Sequence, residues 1–193
     1  MSSGQNESIE KERAWIRIQL KNLGHNMSVL ESLLPKKCKI MAIVKANAYG
    51  HGANEVSLYL NSLGYQSFAV ATAQEGIALR QAGVVGEILV LGYTDPNTVR
   101  DLLAFSLTQT ATDKTHAYAL AREADLCKAI LPIQIKVDTG MNRLGESWAH
   151  SEQIAEYFTL RSLDIRGIFS HLCVADSEKE TDIRYTKDQI EKF

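Results

Sequence analysis

Residues 40–52 read IMAIVKANAYGHG. Ile40 to Val44 form an apolar run, too short for a helix and β-prone in composition. Lys45 ends the run, and Asn47, Tyr49, Gly50, His51 and Gly52 follow as a turn. The same pattern recurs at SFAVAT (67–72), EILVLG (87–92), LTQTAT (107–112), IQIKVD (133–138) and IRGIFSHL (165–172). Helical stretches lie between these runs. Asp95-Pro96 supplies an N-cap and a first-turn proline, and Asp113 an N-cap for HAYALAREADL. Gly64 and Gly83 sit where helix C-caps belong. Ile154 and Phe158, with Leu163 beyond, mark a further helix before the sixth run. Strand followed by helix, six times, predicts a parallel sheet with helical crossovers. An open doubly wound sheet and a (β/α)8 barrel both fit. Even spacing, and the lack of a G-x-G-x-x-G loop after the first strand, favour the barrel. Six strands do not close an eight-stranded barrel. The expectation is therefore an incomplete TIM-type α/β barrel with two βα units absent, ending in the helical TDIRYTKDQIEKF (181–193).

Upstream, Trp15 to Leu20 form a β-prone segment, and Leu23, Met27, Leu30 and Leu34 make one helical stripe. Residues 1–13 are polar and charged and read as a tail or linker, leaving residues 14–193 as one domain. Of 193 residues, 45% are apolar and 23% charged, an ordinary globular composition. The 21 basic and 23 acidic residues leave a formal charge of −2, so nothing draws the chain to nucleic acid or to an anionic membrane. The start carries no apolar signal region, and no run approaches the roughly 20 residues of a membrane helix. Cys38, Cys127 and Cys173 are scattered, with neither metal spacing nor a disulfide framework, which fits a reducing compartment. The expected location is cytoplasmic, or the cytosolic domain of a membrane protein.

Three motifs carry chemistry, each at a predicted strand end. In AIVKANAYGHG (42–52), Lys45 leaves a buried strand, where desolvation lowers the pKa of an amine. A neutral amine attacks aldehydes, but an isolated lysine in such a place is more often one snorkelling to solvent. KVDTGMNRLG (136–145) brings Lys136, Asp138 and Arg143 to one rim, which on its own reads equally as a surface ion-pair network. GIFSHLCVADSE (167–178) brings His171, which alone reads as a structural histidine.

Together and in this order, the three strings resemble those of the alanine racemase family, and WIRIQLKNLGHNM (15–27) resembles its N-terminus. The resemblance covers residues 14–193. It implies a pyridoxal-5′-phosphate (PLP) enzyme. Lys45 matches the lysine that carries PLP as a Schiff base and acts as one of two catalytic bases. Tyr49 matches the tyrosine that reaches the cofactor phosphate. Arg143 matches the arginine on the PLP phenolic oxygen and near the substrate carboxylate, and Met141 lies at the site edge. Lys136 matches a lysine that is often carbamylated and then orients Arg143. His171 matches the histidine that packs on the pyridine ring. Asn47, His51 and the glycines are assigned turn-shaping roles. Asn142 stands where the family usually has glycine, and asparagine tolerates positive φ better than most.

The implied activity is interconversion of L- and D-alanine, or of L- and D-serine, supplying D-amino acid for peptidoglycan. IEKERAWI (9–16) resembles the junction before the racemase domain of membrane-bound serine/alanine racemases. The implied partners are a small amino-acid substrate and, in the full-length protein, a second copy in a homodimer. The family's second base, a tyrosine, and its arginine at the pyridine nitrogen have no counterpart here, so this chain alone is expected not to racemise. A single-domain, non-catalytic PLP carrier is the alternative, but such proteins are not expected to carry the AYGHG or DTGMNRLG strings.

Overall fold

The computed structural model describes residues 14–193, so the tail or linker expected over 1–13 lies outside the described residues. They fall into two compact units, one ending at Lys39 and one spanning Ile40–Phe193. The first unit contains helix α1 (Leu20–Leu33). The β-prone segment before it forms no strand. A strand needs a neighbour for its backbone groups; instead the Gln19 carbonyl accepts from the Asn22 N–H and opens the helix. Leu34 is extended (φ −87°, ψ 146°), as a residue preceding proline should be, and Pro35 ends α1.

The second unit alternates strand and helix. It runs β1 (Ala42–Ile43), α2 (Ala53–Ser62), β2 (Ser67–Val70), α3 (Ala73–Gln81), β3 (Glu87–Val90), α4 (Val99–Ala104), β4 (Thr108–Ala111), α5 (Lys114–Leu126), β5 (Leu131–Asp138), β6 (Glu146–Ser147), α6 (Ser151–Tyr157), β7 (Leu163–Phe169) and α7 (Glu180–Lys192). All strand pairs are parallel. Six strands lie in chain order, β1-β2-β3-β4-β5-β7, as in an unclosed α/β barrel. The two-residue β6, not anticipated, pairs with the far end of β5.

The expected caps are present. Asp95 accepts from the Asn97 N–H ahead of Pro96, and Asp113 from the His116 N–H at the start of α5. Gly64 and Gly83 each take φ +95° just past α2 and α3. Side chains alternate across the sheet, so register sorts them onto two faces. One face carries Phe68, Ile88, Val90, Ile133 and Ile135, all fully buried. It is packed by helices: a Cβ added at Gly76 of α3 would meet Leu107 at 3.0 Å and Ile88 at 3.4 Å. The other face is the barrel lumen. Through the ladders Ile43↔Ala69↔Leu89↔Thr108 and Lys136↔Phe169, it carries Ile43, Ala69, Leu89, Lys136 and Phe169.

Gly86 opens β3 at φ +93°, and a Cβ there would lie 2.2 Å from the Gln66 carbonyl. Gly86→Ala should lower stability by at least about 2 kcal/mol, the left-handed backbone and the backbone clash adding together; urea denaturation measures it.

Candidate active site

The lumen rows end together at one end of the sheet, with Lys136 and Phe169 still inside their strands and Lys45, Ala71, Leu91 and His171 just past theirs. These residues line a cavity of about 390 Å3, together with Ile43, Tyr49, Gly92, Arg143, Leu144 and Ser170. It lies at the C-terminal ends of the strands, where barrel enzymes build their sites.

Lys45 is placed by an unusual turn. Over Lys45–Gly50 the chain closes a helical turn, yet Ala46, Asn47, Ala48 and Tyr49 have φ of 50–55° and ψ of 37–48°. Four successive non-glycine residues in the left-handed region cost roughly 1–2 kcal/mol each. Hydrogen bonds offset this. Asn47 Oδ1 accepts from the Ala53 N–H at 2.8 Å, and His51 Nδ1 lies 2.9 Å from the Ala48 carbonyl. Glu75 Oε1 accepts from the Ala46 N–H at 2.7 Å. Gly50 and Gly52 complete the turn at φ +86° and +89°. The Lys45 amine sits 5.9 Å from the centre of the Tyr49 ring and has no ion-pair partner among the described residues. Tyr49 itself is exposed.

Arg143 and Lys136 are placed by the loop after β5. The Asp138 carboxylate accepts from the Gly140 N–H at 2.8 Å and the Asn142 N–H at 3.1 Å, winding the chain into a tight turn. Asn142 adopts φ 57°, in the left-handed region that asparagine tolerates better than most residues. Gly145 (φ +120°) then lets the loop return onto β5; a Cβ there would lie 2.8 Å from the Asp138 nitrogen. Lys136 is 6% exposed, donates to the Val137 carbonyl at 2.8 Å and lies 5.7 Å from the centre of the Phe169 ring. Met141, expected at the site edge, lies in the turn wound around Asp138, in the same loop as Arg143, and is not among the residues lining this cavity.

His171 is held from behind by Gln189, which sequence reasoning did not single out. Gln189 is fully buried on α7. Its amide nitrogen donates to the His171 carbonyl at 3.1 Å and to Thr139 Oγ1 at 3.4 Å, and its oxygen accepts from the Cys173 N–H at 3.1 Å. Tyr185 of the same helix donates to the Gly140 carbonyl at 2.6 Å. One helix thus fixes the loops bearing Arg143 and His171. A polar residue amid a helical stripe was the available signal, but sequence cannot say what it meets.

The cavity is lined by basic side chains. Lys45, Lys136, Arg143 and His171 line it, and no carboxylate does among the described residues. Burial lowers the Lys136 pKa and Arg143 lowers it further, against the pull of Asp138. Burial also lowers the His171 pKa, with Arg143, Lys136 and Lys45 adding in that order. The imidazole is therefore neutral near pH 7. This donor set suits a compact aromatic anion: guanidinium and ammonium for oxygens, apolar walls for a ring, and an unpaired amine for a carbonyl.

Residues 18–193 match the family described as alanine racemase, N-terminal domain. The chain belongs to that family. An amino-acid racemase of Enterococcus faecalis is 43% identical over 184 residues, 95% of this chain and 25% of that protein. A serine/alanine racemase of Enterococcus gallinarum is 41% identical over 169 residues, 88% of this chain and 24% of that protein. The alanine racemase of Clostridium difficile 630, solved in complex with cycloserine, superposes with a TM-score of 0.87 at 31% identity, over 94% of this chain and 50% of that one. The chain spans a quarter to a half of the length of these relatives. Membership of the alanine racemase family accounts for the unclosed sheet: the part matched is the N-terminal barrel. No helix among the described residues is long and apolar enough to cross a membrane.

Two outcomes follow from this geometry. NMR titration of the His171 ring should give a midpoint below the ordinary 6.5, moving upward in Arg143→Gln; a midpoint at or above 6.5 would contradict the cationic crowding. Gln189→Leu leaves the His171 carbonyl and the Cys173 N–H unpaired and should cost about 2–4 kcal/mol in thermal denaturation.

Proposed function

We propose that this chain is the cofactor-carrying part of a PLP-dependent amino-acid racemase acting on alanine or serine, and so provides D-amino acid for peptidoglycan. The observation that carries the reading is the convergence of an unpaired Lys45 amine with Lys136, Arg143 and His171 around one cavity of ring size. Bound PLP supplies an electron sink that acidifies the α-proton of an attached amino acid.

The remaining chemistry belongs to side chains of this chain. Lys45 is the covalent anchor and, when freed, a base that takes the α-proton at Nζ on one face of the substrate. The Arg143 guanidinium, without an acidic partner among the described residues, would hydrogen-bond the cofactor's ring oxygen and steer the substrate carboxylate. His171, kept neutral, stacks on the ring without adding charge. Tyr49 presents its hydroxyl to the phosphate from the rim. Lys136 is buried with a lowered pKa. The amine form that this favours takes up carbon dioxide and releases a proton, leaving a carbamate whose negative charge holds Arg143 in line. Racemisation needs a second base on the opposite face, which in this reading lies in the whole protein outside these residues, as does a homodimer partner. Of alanine and serine, relatives named for each chemistry support either.

The test uses the complete protein with added PLP. Lys45→Ala should abolish the visible absorbance of the bound cofactor, and an unchanged spectrum would assign the anchor to another lysine. Lys136→Ala should keep the absorbance and lower turnover of L-alanine or L-serine.

A further inference from the structure

We propose that Glu75 is the positioning residue for the Lys45 amine, an inference that rests on the reading of Lys45 as the cofactor anchor. Glu75 lies in the first turn of α3, where it forms a capping box with Thr72. A cap alone does not account for its geometry. The capping contacts are the longer ones: the Thr72 N–H reaches Glu75 Oε2 at 3.3 Å, and the Glu75 N–H reaches Thr72 Oγ1 at 3.3 Å. The two short contacts go elsewhere, one to each carboxylate oxygen. Oε1 accepts from the Ala46 N–H at 2.7 Å, and Oε2 from the Ala71 N–H at 2.7 Å. At these lengths both are charge-assisted bonds, about twice as strong as neutral ones. The carboxylate has no ion-pair partner among the described residues, so its charge is committed to these amides.

The tethered amides belong to the site. Ala46 follows Lys45 directly and opens the left-handed run, and Ala71 ends the neighbouring lumen row and lines the cavity. Ala71 is in turn fixed to the next strand, its carbonyl accepting from the Gly92 N–H at 3.1 Å. Glu75 therefore clamps the strained exit of β1 to the wall formed by β2 and β3. It acts on Lys45 through the backbone alone. Attachment requires the Lys45 ammonium to release a proton to water, the amine to add to the cofactor aldehyde, and one water to leave. The rate depends on the angle at which Nζ meets the carbonyl. Without the clamp, Ala46 relaxes towards ordinary backbone and carries the Lys45 Cα with it.

The experiment compares the complete protein with Glu75→Gln and with Thr72→Ala, which removes the other half of the cap but leaves the Ala46 contact. Amide hydrogen exchange at Ala46 is measured by NMR without PLP. Covalent attachment of PLP to Lys45 is stopped with borohydride at timed points and quantified by mass spectrometry. Glu75→Gln places an NH2 against one of the two amides; it should speed Ala46 exchange and slow attachment on the order of tenfold. Thr72→Ala should leave both rates unchanged while lowering the melting temperature. Equal attachment rates in Glu75→Gln and the parent, or equal slowing in Thr72→Ala, would overturn the proposal. If Glu75→Gln does not fold, Glu75→Asp carries the same test: one methylene shorter, it cannot reach both amides, and the same slowing is expected. A parent protein that attaches no PLP at Lys45 overturns the anchor reading itself, and with it the proposal, before any variant is compared.

Discussion

The left-handed run Ala46–Tyr49 is the constraint around which the site is built. Four L-residues are held where L-residues resist being, at a cost of several kcal/mol in all. Such a turn persists only if its surroundings over-determine it. Asn47, His51 and Glu75 do so, each by a short bond to a backbone group. The turn removes the chain from β1 immediately after Lys45, leaving that side chain in the lumen row beside Ala71 and Leu91 rather than at the start of an ordinary outer helix.

The loops on the far side of the cavity follow the same economy. Asp138 spends its carboxylate on the amides of its own turn, and Gln189 on the backbone of the loop bearing His171. Backbone groups thus satisfy the supporting side chains, and no carboxylate neutralises the cations of the cavity among the described residues. Burial lowers the pKa values of Lys136 and His171, and neighbouring basic groups lower them further, Arg143 in both cases. An anion in the cavity would offset that lowering.

Several features were legible from local rules. Six β-prone runs became six parallel strands, because crossovers through helices leave few other ways to bury both sheet faces. Asp95, Asp113, Gly64 and Gly83 did what their chemistry allows at helix ends. Asn142 took a positive φ, which asparagine tolerates better than most residues. The misreadings also share a cause. Trp15–Leu20 has strand composition but forms no ladder among the described residues, and β6 is too short to show a period.

The direction of the strands, the caps of the helices and the three strand-end motifs are written in local stretches of sequence. These depend on residues a few positions apart, which the chain specifies without reference to the rest of the fold. The packed fold settled the rest: Glu75 serves Ala46, twenty-nine residues earlier, and Gln189 serves His171, eighteen residues earlier. It also decided that Lys45, Lys136, Arg143 and His171 face one cavity without a counter-charge among the described residues. Hydrogen bonds and electrostatic fields act through space, and their partners are set by sheet register and barrel curvature, which no local pattern encodes.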